Sequence, residues 1–197
     1  MPEIDFRTVC FSTNYSTFSS ISIMKQYLMI ADCTDINYIK ENHVQFKHKL
    51  LLDNGSQFQY SNSYLEISSF AKRNKNCDKA DCLIIFYDLE NTESEMQLGK
   101  ILNYIRDTCE TERKIFLITF YTSENYNVTD NNEETFKKYF SNNNINNFDI
   151  SMVNMDSSDE LAKVIDSISE EILQEKNIIG NKGLIDIDNS KSNCLII

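Results

Sequence analysis

Residues 79–109, KADCLIIFYDLENTESEMQLGKILNYIRDTC, decide the fold class. From Cys82 to Asp88 the run is apolar, of strand length and without alternation, as expected of a strand covered on both faces. After it, Thr92 and Glu95 stand at capping-box spacing, and Leu98, Ile101, Leu102 and Ile105 recur at helical intervals. A central strand therefore feeds an amphipathic helix.

The same unit returns downstream. KIFLITFY (114–121) reads as a second buried strand, and EETFKKYF (133–140) as a short helix between asparagine-rich loops. FDISMV (148–153) precedes SSDELAKVIDSISEEIL (157–173), in which Ser157 and Glu160 form a capping-box pattern. Leu161, Val164, Ile165, Ile168 and Ile172 supply that helix with a core stripe. Upstream, TVCFS (8–12) is a short β-prone run, and SSISIMKQYLMIA (19–31) places Ile21, Met24 and Leu28 on one helical face. VQFKHKLLL (44–52) and SQFQY (56–60) flank Asp53-Asn54-Gly55, a turn in which Asn54 and Gly55 can take positive φ, so these runs predict an antiparallel hairpin. The segment 63–80 has too few apolar residues to specify a helix. Strands alternating with helices predict an α/β domain with a mostly parallel sheet and right-handed crossovers.

At 197 residues the chain suits one domain, over residues 1–179, followed by a flexible polar tail, 180–197. No window approaches the ~20 apolar residues of a membrane span, so the expectation is a soluble body. A net charge of -11 disfavours nucleic acid and anionic lipid alike. Six scattered cysteines without a C-x-x-C pair, and a start lacking a signal peptide, fit a reducing cytosol.

This order of elements resembles that of the Ras and Rab small GTPases over nearly the whole chain. KADCLIIFYDLENTES (79–94) looks like the family's fourth strand and the passage into its third helix, and HVQFKHKLLLDNG (43–55) like the second strand and its hairpin. The resemblance implies a three-layer, P-loop NTPase type of α/β fold: a six-stranded, mostly parallel sheet with one antiparallel strand and helices on both faces. It places partner contacts around Val44 and Phe46. A flavodoxin-like alternative is disfavoured by the hairpin.

The chemistry departs from the family. Where G-x-x-x-x-G-K-[ST] wraps phosphates, residues 12–19 read STNYSTFS: Ser12 and Thr17 replace the glycines, Phe18 replaces the lysine, and only Ser19 keeps the position that ligates Mg²⁺. Side chains there cost about 1 kcal/mol or more in glycine conformations and crowd a bound phosphate. Glu41 stands where the switch threonine belongs, Ser63–Glu66 where the DTAG-like segment belongs, and Thr119–Ser123 where the guanine-reading Asn-Lys-x-Asp belongs. Ser151 alone matches the last base-contacting loop. The expectation is a protein with no catalytic residues, cofactor or metal, acting through protein partners in vesicle traffic or signalling. The alternative is a divergent GTPase that still takes GTP or GDP with Mg²⁺.

The last six residues, SNCLII, put Cys194 four from the end with aliphatic residues behind it, the C-a-a-X pattern of a prenylated cysteine. One lipid, with only Lys182 and Lys191 against Asp186 and Asp188 nearby, predicts reversible attachment to the cytosolic face of a membrane. His43 and His48, five apart on a strand, point to opposite faces and are expected in surface or half-buried roles, not as a metal pair.

Overall fold

Strands and helices alternate along the chain as the periodicities require; seven strands gather into one sheet, and Ile179–Gly180 pairs antiparallel with Gly183–Leu184 in a separate two-stranded ribbon where the tail was expected to begin. The computed structural model describes residues 4–14, 19–31, 33–51, 57–70, 75–109, 113–122, 131–176, 179–180 and 183–184. The sheet has seven strands in the order β2-β3-β4-β1-β5-β6-β7: β1 Asp5–Ser12, β2 Cys33–Lys40, β3 His43–Leu51, β4 Gln57–Glu66, β5 Cys82–Asp88, β6 Ile115–Tyr121 and β7 Phe148–Asn154. β1 lies between β4 and β5, parallel to both, and β5, β6 and β7 continue in parallel. β3 pairs antiparallel with both β2 and β4, so it alone runs against the other six. The helices are α1 Ser20–Ile30, α2 Ser94–Thr108, α3 Asn131–Asn142 and α4 Ser158–Glu175.

Two cores follow from the pleat. Cys82, Ile84 and Phe86 of β5 join Phe6 and Cys10 of β1 beneath α1 and α4, while Leu83 and Ile85 join Val9 and Phe11 beneath α2 and α3. That double burial is why β5 has no polar alternation. Helix α2 buries Leu98, Ile101, Leu102 and Ile105, and α4 buries Leu161, Ile165, Ile168 and Ile172, as their spacing requires; Val164 is partly buried against the same core. At roughly 1.5–3 kcal/mol for each large aliphatic side chain taken from water, these stripes hold the layers together.

Three expectations are corrected. The sheet has seven strands instead of six, because CTDINYIK (33–40) forms β2 at the edge; seven of its eight residues are exposed, so it carries no two-residue apolar period to read. The capping boxes do not form. Glu93, not Thr92, caps α2, after a turn in which the Asn91 side chain accepts from the Glu93 N–H at 2.9 Å. At α4, Ser157 is the cap residue without a side-chain bond, and Glu160 instead accepts from the Asn154 N–H at 2.8 Å. The hairpin pairs Leu50 with Phe58 as expected; its Asp53-Asn54-Gly55 turn lies outside the described residues. So do 185–197, with Cys194, and no helix among the described residues is long and apolar enough to cross a membrane.

Candidate functional site

The chain leaves β1 toward α1 on one face of the sheet and leaves β5 toward α2 on the other. Where neighbouring connections diverge in this way, a crevice opens outside the carboxyl ends of the strands, the usual ligand position in open α/β sheets. At those strand ends stand Thr13 and Asn14 after β1, Ser19 and Ser20 at the start of α1, Glu66 ending β4, Asp88 ending β5, and Ser94 opening α2.

These residues are bonded to one another. The Thr13 N–H donates to the Phe86 carbonyl at 3.0 Å, its hydroxyl donates to Ser94 Oγ at 2.9 Å, and the same hydroxyl oxygen accepts from the Asp88 N–H at 3.1 Å. One Asp88 carboxylate oxygen accepts from Asn14 Nδ2 at 2.9 Å and the other from the Glu90 N–H at 3.0 Å. Across the crevice, a single Glu66 oxygen accepts from both the Ser20 N–H, at 2.9 Å, and the Ser20 hydroxyl, at 2.7 Å. Ser20 and Ser94 are fully buried, and Glu66 and Asp88 each keep 7% exposure.

The start of a helix offers free N–H groups and a positive dipole end, the physical basis of anion binding there. In this chain Glu66 takes one of those donors at α1, the Ser20 N–H, and Ser19 Oγ takes another, the Ser22 N–H. Among the described residues, the donors to both carboxylates are neutral hydroxyl, amide and backbone groups, so no cation pairs with them where a phosphate site needs positive charge. Among the described residues, no buried side-chain nitrogen or oxygen of this group lacks a hydrogen-bond partner.

The sequence positions expected to form a phosphate loop are rearranged. Ser12 is the last residue of β1, paired with Phe86, so the loop starts one residue later than the motif alignment puts it. Ser19 caps α1, its Oγ accepting from the Ser22 N–H at 3.2 Å, and Ser20 is the serine that meets a carboxylate. Thr17 and Phe18 lie outside the described residues. Glu41 is exposed in the turn between β2 and β3, and Ser151, expected in a loop, pairs with Ile118 inside β7. Thr122 is tied to Glu90 through its N–H at 2.7 Å and its hydroxyl at 2.5 Å; Ser123 falls outside the described residues.

Val44 and Phe46, expected at a partner face, are core residues with 1% and 2% exposure. The pleat turns both toward α1, where Phe46 stacks on Tyr64 at 5.7 Å and meets the edge of Tyr27 at 6.2 Å. The added strand β2 moves β3 inward, and the large apolar residues exposed among the described ones are Ile36, Tyr38 and Ile39 on β2, Met29 and Ile30 at the end of α1, and Met96 on α2. His43 and His48 do point to opposite faces. His43 is partly exposed with Nε2 2.8 Å from Ser63 Oγ, whereas His48 is buried, Nδ1 lying 3.0 Å from the Tyr60 hydroxyl, beside Tyr27, whose hydroxyl donates to Asp166 at 2.9 Å.

Sequence reading missed Thr13, Asn14, Ser20, Glu66, Asp88 and Ser94 as a cluster. The available signal was an acidic residue closing each of two strand-forming runs, Glu66 and Asp88, with a serine opening the following helix. A scan of protein-family models and a comparison with curated proteins find no match for this chain.

Proposed function

We propose that this chain is a protein of small-GTPase fold without a working nucleotide site, carried to the cytosolic face of a membrane by a prenyl group on Cys194 and acting there, in vesicle traffic or signalling, by binding protein partners. The observation that carries the reading is the seat of Glu66: its carboxylate holds the Ser20 N–H and hydroxyl at the start of α1, the donors a phosphate would need. A triphosphate entering that crevice meets Glu66 and Asp88 instead of a lysine, and must break a hydrogen-bonded cluster to do so. The layout of the sheet supports the fold assignment. With β2 set aside as an added edge, a hairpin beside the first strand followed by three parallel strand-helix units is the order the sequence resemblance implies.

Because Val44 and Phe46 are internal, partner contacts in this reading belong to the exposed edge, through Ile36, Tyr38 and Ile39. Anchoring falls to the lipid.

The test is to denature protein purified from its native cells and measure released guanine nucleotide, then to titrate the intact protein with a fluorescent guanine nucleotide and Mg²⁺. The expected result is no stoichiometric nucleotide and no saturable binding; micromolar or tighter binding replaces this reading with a divergent GTPase. Mass spectrometry of the C-terminal peptide tests the anchor separately, and an unmodified Cys194 removes it.

A further inference from the structure

The two faces of the sheet are covered to different extents. Beneath α1 and α4 the core reaches outward to β3, taking in Val44, Phe46 and Leu50. Beneath α2 and α3 it takes in Val9 and Phe11 of β1 but, among the described residues, none of β2, β3 or β4. On that side the register sets Gln45, Ser63 and Arg7 in one row and Lys47, Ser61 and Asp5 in the next. Lys49, two residues along β3 from Lys47, and Lys40, paired with His43, flank these rows. All of these side chains are exposed or half-buried.

The face has the opposite sign to the molecule. Arg7, Lys40, Lys47 and Lys49 outnumber the carboxylates of Asp5 and Asp35 by two, on a chain of net charge -11. Asp35 is engaged with Lys47 at 3.2 Å. Asp81, whose carboxylate takes the Arg7 N–H at 2.7 Å, is already paired with Lys176 at the end of α4. Among the described residues, no ion pair or side-chain hydrogen bond engages the Arg7 guanidinium or the Lys40 and Lys49 ammonium groups. A hollow of about 310 Å³ opens on this face, and its lining includes Arg7, Lys47, Ser61 and Ser63 along with Asp5 and Asp35.

We propose that this face docks an acidic segment of a partner protein, bound extended along β3 with carboxylates at alternate positions. Alternate side chains of an extended chain fall on one side roughly 6.6–6.8 Å apart, the same repeat that separates Lys47 from Lys49. Ser61, Ser63 and Gln45 supply hydroxyl and amide partners between the cations. A nucleic acid or an anionic bilayer presents a phosphate array wider than the face, and the acidic chain around it repels both. A short segment sets its charge on the cations alone. The face adjoins the β2 edge, where Ile36, Tyr38 and Ile39 are exposed. The inference rests on the reading that the chain acts by binding proteins and adds what one such partner presents; it depends on neither the crevice nor Cys194.

The experiment titrates the full chain with a fluorescein-labelled peptide of alternating Glu and Thr, followed by anisotropy, and repeats it with Gln in place of every Glu. Saturable binding of the Glu peptide is expected, weakened at least about tenfold between about 50 and about 300 mM salt, and none of the Gln peptide. Arg7→Gln combined with Lys49→Gln should lower affinity at least about tenfold, whereas Tyr38→Ser on the apolar edge should leave it unchanged. All three side chains are exposed, so each variant should keep the unmutated Tm. Absence of saturable binding, equal affinity for the Gln peptide, or a double variant that binds as well as the unmutated chain overturns the proposal. So does retention through Arg7 and Lys49 on phosphatidylserine–phosphatidylcholine vesicles in place of the peptide, which makes the face a lipid contact. Guanine-nucleotide release is read on separate samples, so a bound nucleotide leaves the peptide result standing and a failed peptide titration leaves the nucleotide result standing.

Discussion

The Glu66 carboxylate is held by two donors from one residue, and that geometry sets what its loss costs. Glu66→Ala leaves the buried Ser20 N–H and hydroxyl unmatched and should lower stability by about 2–3 kcal/mol in urea unfolding. Glu66→Gln keeps an accepting oxygen and should cost less; equal losses would mean the carboxylate only fills space. His43 gives a second residue-scale test. Burial, and then the Lys40 charge, lower its pKa from 6.5, so the fold favours the neutral ring. The unfolded chain binds the proton more tightly, and the contribution, present above pH 6.5, is lost as pH falls through the folded value. NMR titration should place His43 below 6.5, and Lys40→Gln should raise it only part of the way back, because burial is the larger cause. The Glu66 contact was not legible in the sequence, because a carboxylate and a serine 46 residues apart, Ser20 and Glu66, carry no spacing signal.

Among the elements, the strands buried on both faces could be read directly, because a two-sided core demands an unbroken apolar run; β5 and β6 begin and end within a residue of their runs. Edge strand β2 could not. With most of its side chains in water, nothing selects an apolar period, and backbone pairing to β3 alone defines it. The same contrast predicts mutational costs. Phe46→Ala on β3 should cost about 3–5 kcal/mol, whereas Tyr38→Ser on β2 should stay within about 0.5 kcal/mol, both by denaturant titration. Helix α2 contains Gly99 with open space where a Cβ would stand, so Gly99→Ala should add about 0.5–1 kcal/mol.

For the molecule as a whole, buried thiols and phenols make stability fall at high pH. Burial raises Cys82 to about 12 and pushes Cys10, Tyr27, Tyr60 and Tyr64 upward as well. The unfolded forms ionise first, so stability present below pH 9 should decline steeply as pH rises toward 12, measured as the urea midpoint against pH. Thermal melting supplies a matching test of the crevice. A ligand at 100 times its Kd adds about 2.7 kcal/mol, so a millimolar guanine nucleotide with Mg²⁺ should leave the Tm unmoved unless a competent site exists. The α/β architecture followed from strand-helix alternation; the crevice's chemistry followed only from seeing which strand ends meet.

The central strand has a timing problem during synthesis. Thr8 of β1 pairs with Tyr64 and Cys82, so the first strand to leave the ribosome meets its inner neighbour only 74 residues later. At about 5–20 residues per second, its apolar side chains wait roughly 4–15 s for cover. Nascent β1 is thus the segment a chaperone would have to shield, and polar replacements at Phe6 or Phe11 should trade native stability for fewer aggregates at that stage.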